Sequence, residues 1–260
     1  MLIIEIFRNS LLSCKSTESR RFSGSHRKGF LAILCSVLAF LLSSCASQPV
    51  DEIELIPAPN VYEDRMLNPL PLTEPFQHIP YDGILYATDR APARDQDQEK
   101  YYRNERGYVV RVGLANIKFG TDNIEWALAR EISMQKDRES TYPVRISSVE
   151  EWGTLGATLP AWFDRDLVDE YDVPPDASLK FAETVNAQLA ASDRKHIYLY
   201  VHGYRVPYEN PILVSAELWH FLGYNCAFIA YSWPSTPLKH AYIQDSETAA
   251  GFARNFRLLI

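Results

Sequence analysis

Two uninterrupted apolar runs dominate the C-terminal part of the chain. His196–Val201 reads HIYLYV and Cys226–Ser232 reads CAFIAYS; both are short, rich in β-branched and aromatic residues, and free of acidic or basic side chains other than His. Runs of that length without alternation fit strands of a parallel sheet covered on both faces. Between them, Asn210-Pro211 is predicted to open a helix, with Asn as cap and Pro at the first position, and Gly223 closes it. A last helix is predicted to begin near Asp245 or Ser246, presenting Ala249, Phe252, Phe256 and Leu259 at three- and four-residue steps. Strand, helix, strand, helix is the pattern of a parallel sheet with right-handed crossovers, so the fold class is α/β.

The pattern upstream is different. Gly83–Ala87 (GILYA), 107–119 (GYVVRVGLANIKF) and Tyr142–Val149 are strand-like, while Asp122–Met134 fits either a helix or a strand. Asp176 can cap a helix that carries Phe181, Val185 and Leu189 at four-residue spacing and ends near Ser192. From Pro57 to Pro80 stand six of the chain's sixteen prolines, which cannot donate to a ladder or fill a helix interior. That stretch reads as a tether, with the domain beginning near Tyr81.

The N-terminus reads as an address. Phe30–Leu42 is thirteen residues without a charge, too short for the roughly 20 that a spanning helix needs. Arg20, Arg21, Arg27 and Lys28 precede it, and Leu42-Ser43-Ser44-Cys45 follows. This order resembles a bacterial lipoprotein leader with its lipobox. The resemblance implies cleavage before Cys45, acylation of its thiol and a stable membrane anchor, since each buried CH₂ contributes about 0.8 kcal/mol. Ala46 rather than Asp after the Cys resembles the pattern of outer-membrane delivery, which places the domain in the periplasm of a two-membrane bacterium. The segment before the apolar core is long and opens with its own apolar stretch, MLIIEIF, which points to a true start downstream of Met1. The expected division is therefore leader 1–44, lipidated Cys45 and tether 45–80, and domain 81–260.

Composition sets further limits. With 260 residues, 47% hydrophobic and 23% charged, the chain is of ordinary globular make-up. Its net charge is −7, and the first 44 residues hold six basic residues against two acidic ones, leaving a balance of −11 for the remainder. An acidic body lacks the footprint for a phosphate backbone, so nucleic acid is not an expected partner. Cys14 and Cys35 leave with the leader and Cys45 carries lipid, so Cys226 stands alone in an apolar run and reads as a buried, inert thiol.

The segment Tyr198–Tyr204 (YLYVHGY), the helix after it, and Ala230–Ser235 (AYSWPS) resemble the bacterial alpha/beta hydrolases of unknown function, an esterase- and lipase-like branch of the α/β-hydrolase superfamily. Leu85–Arg90 (LYATDR) is similar to an N-terminal motif of that group, extending the likeness over roughly 81–260. The resemblance implies a mostly parallel sheet with flanking helices. It also implies an oxyanion-hole loop at His202, Gly203 and Tyr204, with backbone donors at Gly203 and Tyr204 and His202 as support. Gly203 is expected to let the strand end turn sharply and to let backbone approach a small ester or acyl substrate.

The rest of the machinery is missing. A nucleophile elbow of the Gly-x-Ser-x-Gly kind needs glycines four apart, and no two of the eleven glycines are so spaced. In this fold the nucleophile strand, elbow, acid and His follow the helix at 245–260, so no catalytic Ser/Asp/His triad is assigned here. Ser232 and Ser235 with His240 make a poor substitute, because no oriented base–acid pair accompanies them. No His-Glu-x-x-His or Cys-x-x-Cys pattern suggests a metal, and acyl transfer needs no cofactor beyond side chains and water. Tyr204, Tyr208 and Trp219 could line an acyl pocket, although at their spacing they also suit a core. The leading expectation is the N-terminal part of an envelope-anchored serine ester or acyl hydrolase, inactive by itself. The alternative is a non-catalytic envelope lipoprotein on a remnant hydrolase scaffold. Without a central nucleophile strand, residues 46–260 are expected to be marginal or aggregation-prone. A sharp, cooperative thermal transition in soluble material would contradict this.

Overall fold

A computed structural model describes residues 51–62, 68–75, 79–120, 124–161, 174–238 and 241–260. The expected leader 1–44 and the lipidation site Cys45 lie outside the described residues, as does His240. Among the described residues no helix is long and apolar enough to cross a membrane.

The strands are β1 (Glu52–Glu54), β2 (Ile84–Pro92), β3 (Tyr102–Phe119), β4 (Pro143–Thr154), β5 (Ile197–Val201) and β6 (Ala227–Ser232). The helices are α1 (Trp126–Ser133), α2 (Ser178–Ala191), α3 (Glu209–Phe221) and α4 (Tyr242–Leu259). One sheet runs in the order β1-β4-β3-β2-β6-β5. The pairs β2/β6 and β6/β5 are parallel, whereas β1/β4, β4/β3 and β3/β2 are antiparallel. Four of the six strands therefore point one way, and the architecture is α/β with flanking helices.

Register shows which helix covers which face. Tyr86 stands opposite Ala230 and Ala87 opposite Tyr231, so each pair shares a face. The Tyr86 ring meets Tyr208 at the start of α3, whereas Tyr231 meets Phe252 and Phe256 of α4. The helices α3 and α4 thus lie on opposite faces. On the α4 side, α2 and α4 flank a groove of about 560 Å³ floored by Leu199 and Ile229 and walled by Phe181, Val185 and Leu258.

The central strands are fully wrapped: every residue of Ile84–Ala91 and Ala227–Ser232 is buried. The run HIYLYV is not. β5 is the last strand of the sheet, and Ile197 is 53% and Tyr198 38% exposed. Its apolar sequence predicts covered faces, but among the described residues its outer edge has no partner strand.

Of the open segment 122–134, Trp126–Ser133 form helix α1, whose Ser133 hydroxyl meets the buried His220 of α3. α3 begins at Glu209, one residue before the predicted cap, and Gly223 (φ +73°) ends it where a Cβ would strike the Pro69 carbonyl. The cap residue of α2 is Ala177, without a side-chain cap bond; Asp176 stands one residue earlier, and its carboxylate accepts the Ser178 N–H.

Described residues in and just before the stretch read as a tether pack against the sheet and α3. β1 pairs with β4, Leu55 and Leu70 are buried, and the Tyr62 hydroxyl donates to the Phe221 carbonyl. Proline density misled because prolines exclude helix interiors and central strands but allow an edge strand with apolar anchors between them. Leu55 is 1% exposed. Leu55→Ala should therefore lower stability by about 2–4 kcal/mol in equilibrium urea unfolding, whereas an undocked tether would show no change.

Candidate functional site

β5 and β6 run parallel and end side by side, and ligands in α/β sheets bind beyond the carboxyl ends of such strands. The loop after β5 starts with His202, which the structure makes a splint. Its ring lies flat on Trp233, with centroids 5.1 Å apart and planes 1° apart. Nδ1 is 2.7 Å from the Gly203 carbonyl and Nε2 is 3.1 Å from the Trp233 carbonyl, while Trp233 Nε1–H donates back to the His202 carbonyl. Burial, reinforced by the Arg90 charge, pulls the imidazole down to about 3, so it is neutral at ordinary pH. A neutral ring has one N–H and donates to one of those carbonyls at a time. It supports the loop and is not placed as a general base.

Gly203 and Tyr204 are exposed, and among the described residues no hydrogen bond engages either amide N–H. The sharp turn expected at Gly203 falls elsewhere. Gly203 has no positive φ and a Cβ there would meet nothing within 4 Å, whereas Arg205 sits in the left-handed region at φ +63°. A non-glycine residue held there costs on the order of 1–2 kcal/mol.

That strain is held from three sides. Arg205 N–H donates to Asp245 Oδ2 at 3.3 Å, and Val206 N–H donates to Ser235 Oγ at 3.2 Å. The Val206 carbonyl accepts from Arg90 Nη2 at 2.7 Å. Arg90 is fully buried, and its other donors reach Ser232 Oγ (3.0 Å), Asn104 Oδ1 (2.7 Å) and the Ser235 carbonyl (3.4 Å). Burial lowers it only to about 10, because Glu209, Asp89 and Asp245 stand around it, so the guanidinium stays charged. Asp245, also buried, accepts from Ser235 Oγ and from Thr236 N–H.

These bonds dispose of the local serines as nucleophiles. Ser232 Oγ accepts from Arg90, and Ser235 Oγ donates to Asp245 with no histidine beside either among the described contacts. Tyr208 and Trp219 are core residues, Trp219 being stacked on Tyr81; Tyr204 alone of the three aromatic candidates faces solvent, edge-on to Tyr242. Cys226 is buried and its thiol is pushed up to about 11 by burial, an inert state. Among the described residues no three His, Cys, Asp or Glu side chains are grouped to hold a metal ion.

Residues 177–260 match a family model described as "Alpha/beta hydrolase of unknown function (DUF900)". The domain is alpha/beta-hydrolase-like. No curated protein and no solved structure matches the chain. Within this hydrolase-like domain the match spans α2 to α4 with both site loops, and Asp245 lies inside it while Arg90 lies outside. Sequence reasoning quoted Arg90 in a motif without giving it a task and took Asp245 as a helix start. The available signal was the charged pair Asp89-Arg90 two residues beyond the apolar run Ile84–Ala87, where continuation of the strand keeps both inside.

Next to Arg90, on the other face, Asp89 is buried under α4, with Asn255 Nδ2 3.4 Å from one oxygen. Burial pushes its carboxyl from 3.8 up to about 6, against the pull of Asn255 and Arg106. The folded state therefore keeps a proton that the unfolded chain releases between about pH 4 and 6. This contribution is full below that window and is lost as pH rises through it, by about 2–3 kcal/mol. Asp89→Asn removes the dependence, so the variant should gain on wild type between pH 4 and pH 7 in urea unfolding. Taking the difference cancels His202 and His220, which are depressed and titrate the opposite way. An equal difference at both pH values would refute the assignment.

Proposed function

We propose that this domain supplies the oxyanion-binding part of a serine-type ester or acyl hydrolase, held at the cell envelope by lipid on Cys45. The observation that carries the reading is the amide pair of Gly203 and Tyr204 just after β5, unbonded among the described residues. Attack on an acyl carbon places negative charge on the carbonyl oxygen, and each fixed N–H aimed there stabilises it by about 3–4 kcal/mol. The pair is exposed, its flanks are held by buried groups, and the empty space over Gly203 admits a substrate backbone or acyl carbonyl.

The serine comes from a strand-turn-helix that these residues do not contain. The outer edge of β5 offers it a place: a strand added parallel there ends beside Gly203, and the helix after it can lie on the groove between α2 and α4. In this arrangement the chain described here orients and stabilises, while the added segment attacks and transfers protons. The lipid anchor would leave the loop facing the compartment outside the inner membrane, within reach of ester or acyl substrates.

The native protein extracted from membranes should hydrolyse a short-chain nitrophenyl ester and be labelled by a serine-directed fluorophosphonate. Gly203→Ala should leave stability within about 0.5 kcal/mol, since its Cβ meets open space, yet slow turnover about tenfold or more by crowding the acyl group. Absence of labelling and of hydrolysis would sink the enzymatic reading and favour a non-catalytic envelope lipoprotein on a hydrolase scaffold.

A further inference from the structure

We propose that Arg90 and Asp245 are positioning residues for the Gly203–Tyr204 amide pair, a role that rests on reading this pair as oxyanion donors. No hydrogen bond joins the two charges: Asp245 accepts from the backbone of the two loops and from the serine that ties them, and Arg90 gives two of its bonds to the loop carbonyls of Val206 and Ser235 while the rest hold it to Ser232, Arg103 and Asn104 of the sheet. Arg90 takes the Val206 carbonyl, Asp245 takes the Arg205 N–H, and Ser235 links them by accepting from Val206 N–H while donating to Asp245. The peptide planes just after Tyr204 are thereby fixed, including the left-handed Arg205. On the other side, the neutral His202 ring, clamped on Trp233, stands against the Gly203 carbonyl.

Both flanks of the amide pair are tied, and among the described residues the pair itself has no hydrogen bond. That is the arrangement expected of donors fixed in advance, where no reorganisation is needed when charge develops. Core satisfaction alone is a poor account of it. Well-packed apolar side chains at positions 90 and 245 would avoid two desolvated charges, which are costly to bury and are retained where they fix a geometry. The anchors also come from distant parts of the chain: Arg90 from the end of β2 and Asp245 from the first turn of α4. The loop after β5 is thus set by the sheet and by a helix on its far face together. Asn104 of β3 completes the cradle on the Arg90 side.

The test is amide hydrogen exchange by NMR on the full chain, wild type against Ser235→Ala, Arg90→Lys and Asp245→Asn. Ser235→Ala removes the link without burying an unpaired charge, so it stays informative if the charge variants fail to fold. The expected result is about tenfold faster exchange at Arg205 and Val206 with the amides of Ile229 and Tyr231 unchanged. In the native enzyme the same variant should lower kcat about tenfold with KM within about twofold, and Arg90→Lys should not rescue function, because an ammonium lacks the planar fork. Uniformly faster exchange in loop and β6, or no change at Arg205 and Val206, would overturn the positioning role. Loop-specific exchange without any fluorophosphonate labelling of the native protein would support the held loop and overturn the hydrolytic reading, so the two failures are distinguishable.

Discussion

A guanidinium taken out of water has to be given acceptors in its own plane, and Arg90 is fully buried. The acceptors it finds belong to five residues: Arg103 and Asn104 on β3, Val206 in the loop after β5, Ser232 at the end of β6 and Ser235 just beyond it. Meeting that demand draws the ends of three strands and their loops to one point. The ladder itself adapts, since register between β2 and β3 shifts on either side of Arg90. Irregularities of this kind re-aim side chains next to functional sites. The carboxyl groups of Asp89, Glu209 and Asp245 surround the charge and keep it from being lost to burial. Together with Asp245 and the His202 ring, this desolvated group holds the loop after β5.

The helix α4 shows the same logic from the opposite face. Its aromatic contacts are modest: Phe252 lies on Trp233 and Phe256 against Tyr231, each only partly buried. The fully buried side chains within it are polar, Asp245 in its first turn and Asn255 near its end. Asp245 in a first turn also suits the helix dipole. Directional bonds at both ends fix the rotation of this helix more tightly than its thin apolar stripe does. Its N-terminal bond reaches the loop that presents Gly203 and Tyr204, and its C-terminal bond reaches the titrating Asp89. Protonation at Asp89 is thereby linked to the seating of the helix that holds the candidate site.

The α/β class and most elements were legible because hydrophobic period and turn residues speak directly to local structure. HIYLYV, CAFIAYS and the Phe181–Val185 stripe are seen where they are expected. What was not legible depends on tertiary position. Ile197 and Tyr198 read as doubly covered, yet a strand's sequence does not tell whether it is central or the last in the sheet. Leu55, Tyr62 and Leu70 were hidden among prolines, whose local rule says nothing about anchoring by the residues between them. Of the site, His202, Gly203 and Tyr204 were found through resemblance, but the left-handed residue is Arg205, which no glycine rule would choose. Arg90 and Asp245 escaped because charged residues are read as surface unless a partner is visible, and their partners lie more than a hundred residues away for Val206 and forty for Arg205.

The central claim is that buried charges hold the loop after β5 so that the Gly203 and Tyr204 amides await a developing oxyanion. Its most direct test is a crystal structure of the native protein carrying a fluorophosphonate adduct. The account predicts the phosphoryl oxygen within hydrogen-bonding distance, about 2.7–3.1 Å, of both amide nitrogens, with Arg205 still left-handed and Arg90 still on the Val206 carbonyl. An adduct whose phosphoryl oxygen is bound elsewhere, or a loop rearranged with Arg90 released, would contradict it.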